Sequence, residues 1–258
     1  MSPLETFIAS PWYAAAMAVL IVAGFAHGTM GFGFPLISTP VLAMMTDLPT
    51  AVLASLFPNL AVNLVSIVRG GNWRASIVRF WPVSAYVFVG TIAGTRLLIL
   101  GDPEPLKLLL AAMIVAYLLQ SRLGGLDGSW LSRNPRTSAA AAGLAAGFLQ
   151  GTVNVALPPL VIYFMALGLE AVAMTQILNL CFIVGRATQA VTLGVSGRLG
   201  WSTFVATLPL TFASLASLAV GLRMQGRIRP QVFRRMLRAF LWAMAVVLAA
   251  QVARHYLR

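Results

Sequence analysis

Two short stretches of the sequence could bind an anion, because each places glycine, hydroxyl or amide residues shortly before a proline. They read His-Gly-Thr-Met-Gly-Phe-Gly-Phe-Pro at 27–35 and Gln-Gly-Thr-Val-Asn-Val-Ala-Leu-Pro at 150–158. Proline suits the first turn of a helix, where its missing N–H is not needed, so each stretch predicts a break that ends at a helix N-terminus. The free N–H groups and positive dipole end of such a terminus attract anions. The two breaks together predict a donor-rich anion site.

The backbone and side chains of these breaks supply the predicted contacts. Glycine allows the backbone to approach a ligand, and threonine, glutamine and asparagine side chains can donate hydrogen bonds. A histidine beside the first break could relay protons or hold an anion. The break residues predicted to line the site are His27, Gly28, Thr29, Gly31, Gly33, Gln150, Gly151, Thr152 and Asn154. The alternatives are that glycine and threonine only permit close helix packing, and that the histidine is a hydrogen-bonded structural residue.

Arg186 is the second candidate, because it lies deep inside the apolar stretch 171–194. An arginine at that depth costs at least ~2.5 kcal/mol unless it meets an anion, a carboxylate or water. No carboxylate lies inside an apolar stretch away from its ends, so a bound anion is the predicted counter-charge. Asn179 falls on the same helical face as Arg186, and Gln189 flanks it. The alternative is that Arg186 extends along its stem to the interface or caps carbonyl groups of a broken helix.

A matching polar stripe occurs in the apolar stretch 48–68, where Asn59, Asn63 and Ser66 follow one another at helical spacing. Asn59 and Asn63 therefore join the predicted site. Such stripes also hold helices together in membrane proteins, and both interpretations are open at this point.

Composition places most of the chain in lipid. Apolar residues make up 59% of the 258 residues and charged residues only 9%, against roughly a quarter charged in soluble domains. The net charge of +12 does not indicate nucleic-acid binding, because the arginines sit in short gaps between apolar stretches. Cys181 has no partner for a disulfide or a thiolate metal site. The sequence shows no metal cluster, nucleotide loop or catalytic triad, so we expect neither a cofactor nor enzymatic activity.

The length of the apolar stretches predicts the membrane layout. A hydrocarbon core of ~30 Å takes about 20 helical residues. The stretches that fit one crossing are 48–68, 80–100, 105–121, 171–194, 201–222 and 232–253. Two others, 11–46 and 138–168, are too long for one crossing and contain the two breaks near their middle.

The two breaks also indicate an internal duplication. At an offset of 123 residues, Ala23-Gly24-Phe25 matches Ala146-Gly147-Phe148, Gly28-Thr29 matches Gly151-Thr152, and Pro35 matches Pro158. We therefore predict a first membrane repeat at 1–121, a cytoplasmic linker at 122–137 and a second membrane repeat at 138–258.

Arginine placement predicts that the second repeat is inverted. Arginines cluster at 69–79, at 122–136 and at 223–238, so these regions are expected to face the cytoplasm. The stretch 138–168 must then enter and leave the membrane on the same side, and the stretch 11–46 is expected to do the same. The predicted fold is an all-α polytopic membrane protein with an inverted repeat. Each half consists of a broken-helix hairpin and three transmembrane helices.

The glycine-rich run Gly24-Phe25-Ala26-His27-Gly28-Thr29-Met30-Gly31-Phe32-Gly33-Phe34-Pro35, with Pro40 downstream and its second-half echo, resembles the duplicated signature of the TauE/SafE family. The resemblance covers nearly the whole chain. It implies a multi-pass carrier of sulfite, sulfoacetate or related sulfur-containing anions in the bacterial inner membrane, with about eight transmembrane helices. The second break departs from the family's glycine-richer pattern, because Asn154-Val155-Ala156 replaces the glycines.

The function expected from these features is secondary transport. The anion would sit between the two breaks and Arg186, and one repeat would rock against the other. The partners expected are a small anionic substrate and the lipid bilayer, with proton coupling and an oligomer both open. An anion channel and a carrier of another organic anion, such as a carboxylate, are the alternatives within transport. Outside transport, an intramembrane enzyme would need a nucleophile and base at depth, and a scaffold would not require paired breaks.

Overall fold

A computed structural model describes residues 12–69, 73–119, 134–225 and 230–256 of the chain. These residues form ten α-helices and no strand. The helices are α1 (Trp12–Met30), α2 (Phe34–Met45), α3 (Leu48–Arg69), α4 (Trp73–Leu100), α5 (Pro103–Leu119), α6 (Pro135–Val153), α7 (Leu157–Ala166), α8 (Ala171–Val195), α9 (Trp201–Met224) and α10 (Pro230–Tyr256). The predicted all-α class is confirmed.

Six of these helices are long and apolar enough to cross a membrane. They are α1, α3, α4, α8, α9 and α10. Large apolar side chains on their surfaces are exposed, with Val195 at 87% and Phe212 at 68% of full exposure. Such a surface is suited to lipid rather than water, so the chain is a multi-pass membrane protein.

Both predicted breaks are present, and backbone conformation explains where they fall. Gly31 and Gly33 adopt φ of 83° and 108°, which ends α1 and separates it from α2. Asn154, at the aligned position of the second half, ends α6 with φ of 68° and ψ of 11°. Glycine and asparagine are the residues that adopt this left-handed region most readily. Prolines lie in the first turns of α2 and α7, as predicted.

Some boundaries differ from those expected. Helix α6 begins at Pro135, inside the range assigned to the linker, and residues 122–133 of that linker lie outside the described residues. The stretch expected at 105–121 forms α5 over 17 residues. The arms of each hairpin are unequal, with 19 and 12 residues in the first and 19 and 10 in the second. The repeat boundaries at 121 and 138 remain predictions.

Side-chain contacts show the direction of each helix. Helices α1 and α9 run the same way, because Tyr13 Oη donates to Ala206 O at 3.0 Å near their starts and Gly28 packs on Gly221 near their ends. Helices α4 and α6 also run the same way, because Gly143 packs on Val83 and Gly151, further along α6, packs on Thr95, further along α4. In each pair, one helix comes from each half of the chain.

Several helix ends lie at one end of the molecule, which we name the N-terminal face. The end of α2, the start of α5 and the end of α10 line one surface cavity, through Thr46, Glu104 and Arg254. The start of α3, the end of α8 and the start of α9 line another. Helix α1 also begins at this face, beside the first turns of α9. The first hairpin therefore enters and leaves at the same face.

The second hairpin has the opposite orientation. Tyr163 near the end of α7 lies beside Ser138 near the start of α6. Phe164 packs edge-on against Phe80 near the start of α4, with ring centroids 5.7 Å apart. Both arms therefore reach the end of the molecule opposite the N-terminal face. The halves are inverted relative to one another. Their two most extensive contacts are equivalent, because α4 and α6 take the places of α9 and α1 when the halves are interchanged.

Candidate functional site

A layer of polar side chains is buried in the middle of the molecule, between the two breaks. It is contributed by α3 and α8 together with the ends of α1 and α6, and its members are at most 1% exposed. They are His27, Ser55, Asn59, Asn63, Gln150, Asn154, Asn179, Arg186 and Gln189. We refer to this set as the polar layer. Buried polar groups in a membrane protein are expensive, so a layer of this size indicates a site or a bonded network.

Arg186 is the centre of the polar layer and is held by neutral oxygen atoms. Its Nη1 donates to Gln189 Oε1 at 2.7 Å, and its Nη2 donates to the backbone oxygen of Asn154 at 3.1 Å. The Asn59 amide is oriented by its hydrogen bonds, with its oxygen toward the guanidinium. Arg186 Nε and Nη2 then donate to this oxygen at 3.0 and 3.1 Å. The arginine therefore joins α3, α8 and the second break.

The charge of Arg186 has no counter-charge among the residues that the structure describes. The guanidinium is 1% exposed, and the one ion pair found in the described ranges joins Lys107 to Glu104 at the N-terminal face. The described acidic residues, Asp47, Asp102, Glu104 and Glu170, all lie at or near helix ends. An ion buried without a partner costs several kcal/mol, and neutral acceptors offset only part of that cost. A bound anion would offset the remaining cost of burying the charge.

Two glutamines fix the end of α6 against α8. Gln189 Nε2 donates to the backbone oxygens of Gly151 and Gln150 at 3.0 and 3.4 Å. Gln150 Nε2 donates to Phe182 O at 3.0 Å and packs on Gly185, where any larger residue would collide with it. The terminal carbonyl groups of α6 are thereby satisfied by side chains of the neighbouring helix.

Asn154 links the second break to the first half of the chain. Its Nδ2 donates to Thr39 Oγ1 at 2.9 Å on α2 and to Ser55 Oγ at 3.1 Å on α3. Its backbone oxygen accepts from Arg186. One residue therefore connects both halves at the point where α6 ends.

The first break has a related set of contacts, made with the start of α8. Asn179 Nδ2 donates to Gly31 O at 3.0 Å, and the Thr175 side chain lies against Gly31. His27 Nε2 forms a hydrogen bond of 3.1 Å with Ser66 Oγ on α3. Helices α3 and α8 thus each run past both breaks, in opposite directions.

The two breaks do not meet end to end, as a simple cage of helix termini would require. Asn179 contacts the first break and Arg186 contacts the second. The segment of α8 between these two residues is about 10 Å long at ~1.5 Å per residue. The first turns also have fewer free donors than an ordinary helix start, because Pro35, Pro158 and Pro159 have no N–H and Leu36 N already donates to Gly33 O. Side chains of the polar layer, rather than helix termini, carry most of the donors.

Four of the predicted site residues make packing or local contacts instead. Thr29 Oγ1 donates to Ala26 O, and Thr152 Oγ1 donates to Phe148 O within its own helix, each at 2.9 Å. Gly28 packs on the backbone of α9, and Gly151 packs on the backbone of α4. These four residues therefore make the contacts expected if glycine and threonine only permit close helix packing. Gly33 caps the start of α2.

The sequence analysis missed Thr39 and Ser55. Ser55 lies one turn before Asn59, so extending the polar stripe of α3 by one step would have included it. No local signal marks Thr39, because its role depends on Asn154, which lies 115 residues further along the chain.

A cavity of about 320 Å³ opens at the N-terminal face above the polar layer. Asp47 and Arg198 line it together with apolar residues that include Val52, Leu98 and Leu193. Leu193 lies one turn beyond Gln189 on α8, and Val52 lies one turn before Ser55 on α3. We refer to this cavity as the vestibule. No cluster of three or more potential metal-binding side chains occurs in the described part of the chain.

The helical fold and the membrane spans define a multi-pass membrane protein. A family model described as Sulfite exporter TauE/SafE matches residues 16–248, so the chain belongs to the TauE/SafE sulfite exporter family. The resemblance noted in the sequence is thereby confirmed. Comparison with curated proteins and with solved structures gave no match.

Proposed function

We propose that this protein is a secondary transporter that carries a small sulfur-containing oxyanion, such as sulfite or sulfoacetate, across the bacterial inner membrane. The observation that carries the proposal is Arg186, a buried guanidinium surrounded by neutral oxygens. Family membership supports a sulfur-containing anion as the cargo. On this proposal the chain is not an enzyme and needs no cofactor.

The polar layer is suited to a small anion for an electrostatic reason. Inside a membrane protein a positive charge is stabilised far more by a nearby anion than by amide oxygens. An oxyanion can accept hydrogen bonds from Nη1 and Nη2 of Arg186, displacing the side chain of Gln189 or Asn59. Guanidinium groups bind planar or trigonal oxyanions well because their N–H donors form a rigid fork.

The inverted halves support alternating access as the mechanism. Transporters built from inverted repeats bind substrate near the midplane and expose it by moving one repeat against the other. Here Asn154 contacts both halves, and Arg186 connects α3 with the second break. Movement of one half would therefore remodel the contacts around the anion. The vestibule would be the approach from the N-terminal face, which we assign to the external side of the membrane.

A carrier and a channel make different predictions for flux. Purified protein in proteoliposomes should take up radiolabelled sulfite with saturation, and unlabelled sulfite inside should accelerate uptake, because the loaded carrier reorients. Sulfoacetate should compete with sulfite, while acetate should compete less. Uptake that neither saturates nor responds to internal sulfite would favour a channel. Uptake no greater than that of empty liposomes, for all these anions, would contradict the proposed function.

A further inference from the structure

The polar layer contains hydrogen-bond acceptors that nothing in the described structure satisfies. Two of its buried side-chain amide oxygens, those of Gln150 and Asn154, lack a donor among the described residues. A further unpaired amide oxygen, that of Gln176, lies outside the polar layer. A buried acceptor without a donor costs about 1–3 kcal/mol, so a set of them indicates groups that a ligand or water completes.

The orientation of these amides is fixed by their other contacts. Gln150 Nε2 donates to Phe182 O at 3.0 Å. A carbonyl can only accept, so turning this amide over would bring two oxygens together. Asn154 Nδ2 donates to Ser55 Oγ, whose own hydrogen is donated to Ala51 O at 2.8 Å. In this arrangement the oxygens of both amides point away from the groups that their NH2 groups bind.

Both amides of the polar layer belong to residues that are linked to Arg186 by hydrogen bonds. The backbone oxygen of Asn154 accepts from the guanidinium. The backbone oxygen of Gln150 accepts from Gln189, whose side-chain oxygen accepts from Arg186. The two unpaired side-chain oxygens therefore belong to residues one or two hydrogen bonds away from the buried positive charge.

We infer that the site selects a monoanion that brings its own O–H or N–H donor, such as hydrogensulfite or a hydroxyalkyl sulfonate, over a fully deprotonated dianion. The inference rests on the proposed function and specifies its substrate class. The negative oxygens would bind Arg186, and the donor would bind the amide oxygen of Gln150 or Asn154. A dianion would place its second charge against these lone pairs, with no second cation in the polar layer.

Two sulfonates that differ by one hydroxyl group provide the test. We expect 2-hydroxyethanesulfonate to bind the purified protein about tenfold more tightly than ethanesulfonate in calorimetric titrations, because its hydroxyl satisfies one buried acceptor. Gln150→Met and Asn154→Gly, which remove one unpaired acceptor each, should reduce that ratio. Gln176→Met is the matched control, since Gln176 is also a buried unpaired amide but lies more than two turns of α8 before Arg186. It should keep the full ratio.

The outcomes separate this inference from the proposed function. Equal affinity for the two sulfonates would overturn the inference and leave anion transport standing, with water satisfying the amide oxygens. Binding that requires sodium ions and ignores the hydroxyl would also overturn it, because the oxygens would then hold a cation. If no sulfonate, sulfite or carboxylate binds a protein that is monodisperse and folded, the proposed function fails. An unchanged ratio in both Gln150→Met and Asn154→Gly would likewise contradict the inference.

Discussion

Asn154 shows how one residue can combine a backbone role with a binding role. It is the one described non-glycine residue with positive φ, at 68°, and its side chain bridges to Thr39 and Ser55. Its counterpart in the first half is Gly31, with φ of 83°. Replacing glycine by asparagine at this position therefore keeps the break and adds an amide that contacts the other half.

Two substitutions at Asn154 separate these roles. Asn154→Gly removes the amide but keeps a residue suited to positive φ, while Asn154→Ala removes the amide and adds backbone strain. We expect the alanine variant to be less stable than the glycine variant by about 1 kcal/mol. Both should lose transport activity, because both lose the contacts with Thr39 and Ser55. Thermal unfolding in detergent checks the order, and an alanine variant as stable as the glycine variant would contradict the argument.

At the residue scale, the sequence located Arg186, Asn59 and Asn179, which the structure places in the buried polar layer. A charged or amide residue inside an apolar helix needs a partner whatever the tertiary structure, so it can be recognised before the fold is known. Thr152 and Gly28 looked equally suited to a ligand. Their contacts depend on which helix packs beside them, and local sequence does not contain that information.

At the scale of the helices, glycine decides how closely the two halves approach. Gly147 on α6 sits so close to α4 that a Cβ there would collide with the backbone oxygen of Val87. Gly24 on α1 has the equivalent position against α9, where a Cβ would lie 2.5 Å from Ser214 O. Small residues at such crossings let helices associate in lipid, where apolar burial provides no driving force.

The crossing of α4 and α6 can be tested with alanine. Gly147→Ala should lower the melting temperature, because the backbone of α4 must move to accept the added methyl group. Gly194→Ala in α8 is the matched control, since nothing lies within 4 Å of its added Cβ. That control should be neutral or stabilising by roughly 0.5–1 kcal/mol, the usual gain of alanine over glycine in a helix. Equal effects of the two changes would contradict the packing argument.

The inverted orientation of the helices predicts which loops face outward. Single cysteines introduced as Asp102→Cys and Arg198→Cys should react with an impermeant reagent added to intact cells. Cysteines introduced as Arg136→Cys and Arg223→Cys should react only after the membrane is opened. The native Cys181 is fully buried and should remain unlabelled. Labelling of Asp102→Cys and Arg136→Cys from the same side would refute the arrangement.

At the scale of the whole molecule, the sequence predicted the class and the inverted layout, because apolar length and arginine placement are local quantities that reflect the membrane. It also located the breaks, which depend on glycine, asparagine and proline within a few residues. The sequence analysis, however, predicted that the two breaks meet around the anion. In the structure they are offset along α8, and the polar layer fills the space between them. Long-range packing sets that offset, so no short motif could indicate it.

The central claim is that an anion crosses the membrane through the polar layer beside Arg186. The most direct test compares sulfite uptake by proteoliposomes containing wild-type protein, Arg186→Gln and the exposed control Arg136→Gln, with each variant shown to be folded and monodisperse. The account predicts that Arg186→Gln lowers kcat/KM by at least about tenfold, since a charge-assisted hydrogen bond contributes ~1.5–3 kcal/mol, while Arg136→Gln resembles the wild type. Wild-type uptake by a folded Arg186→Gln protein would contradict it.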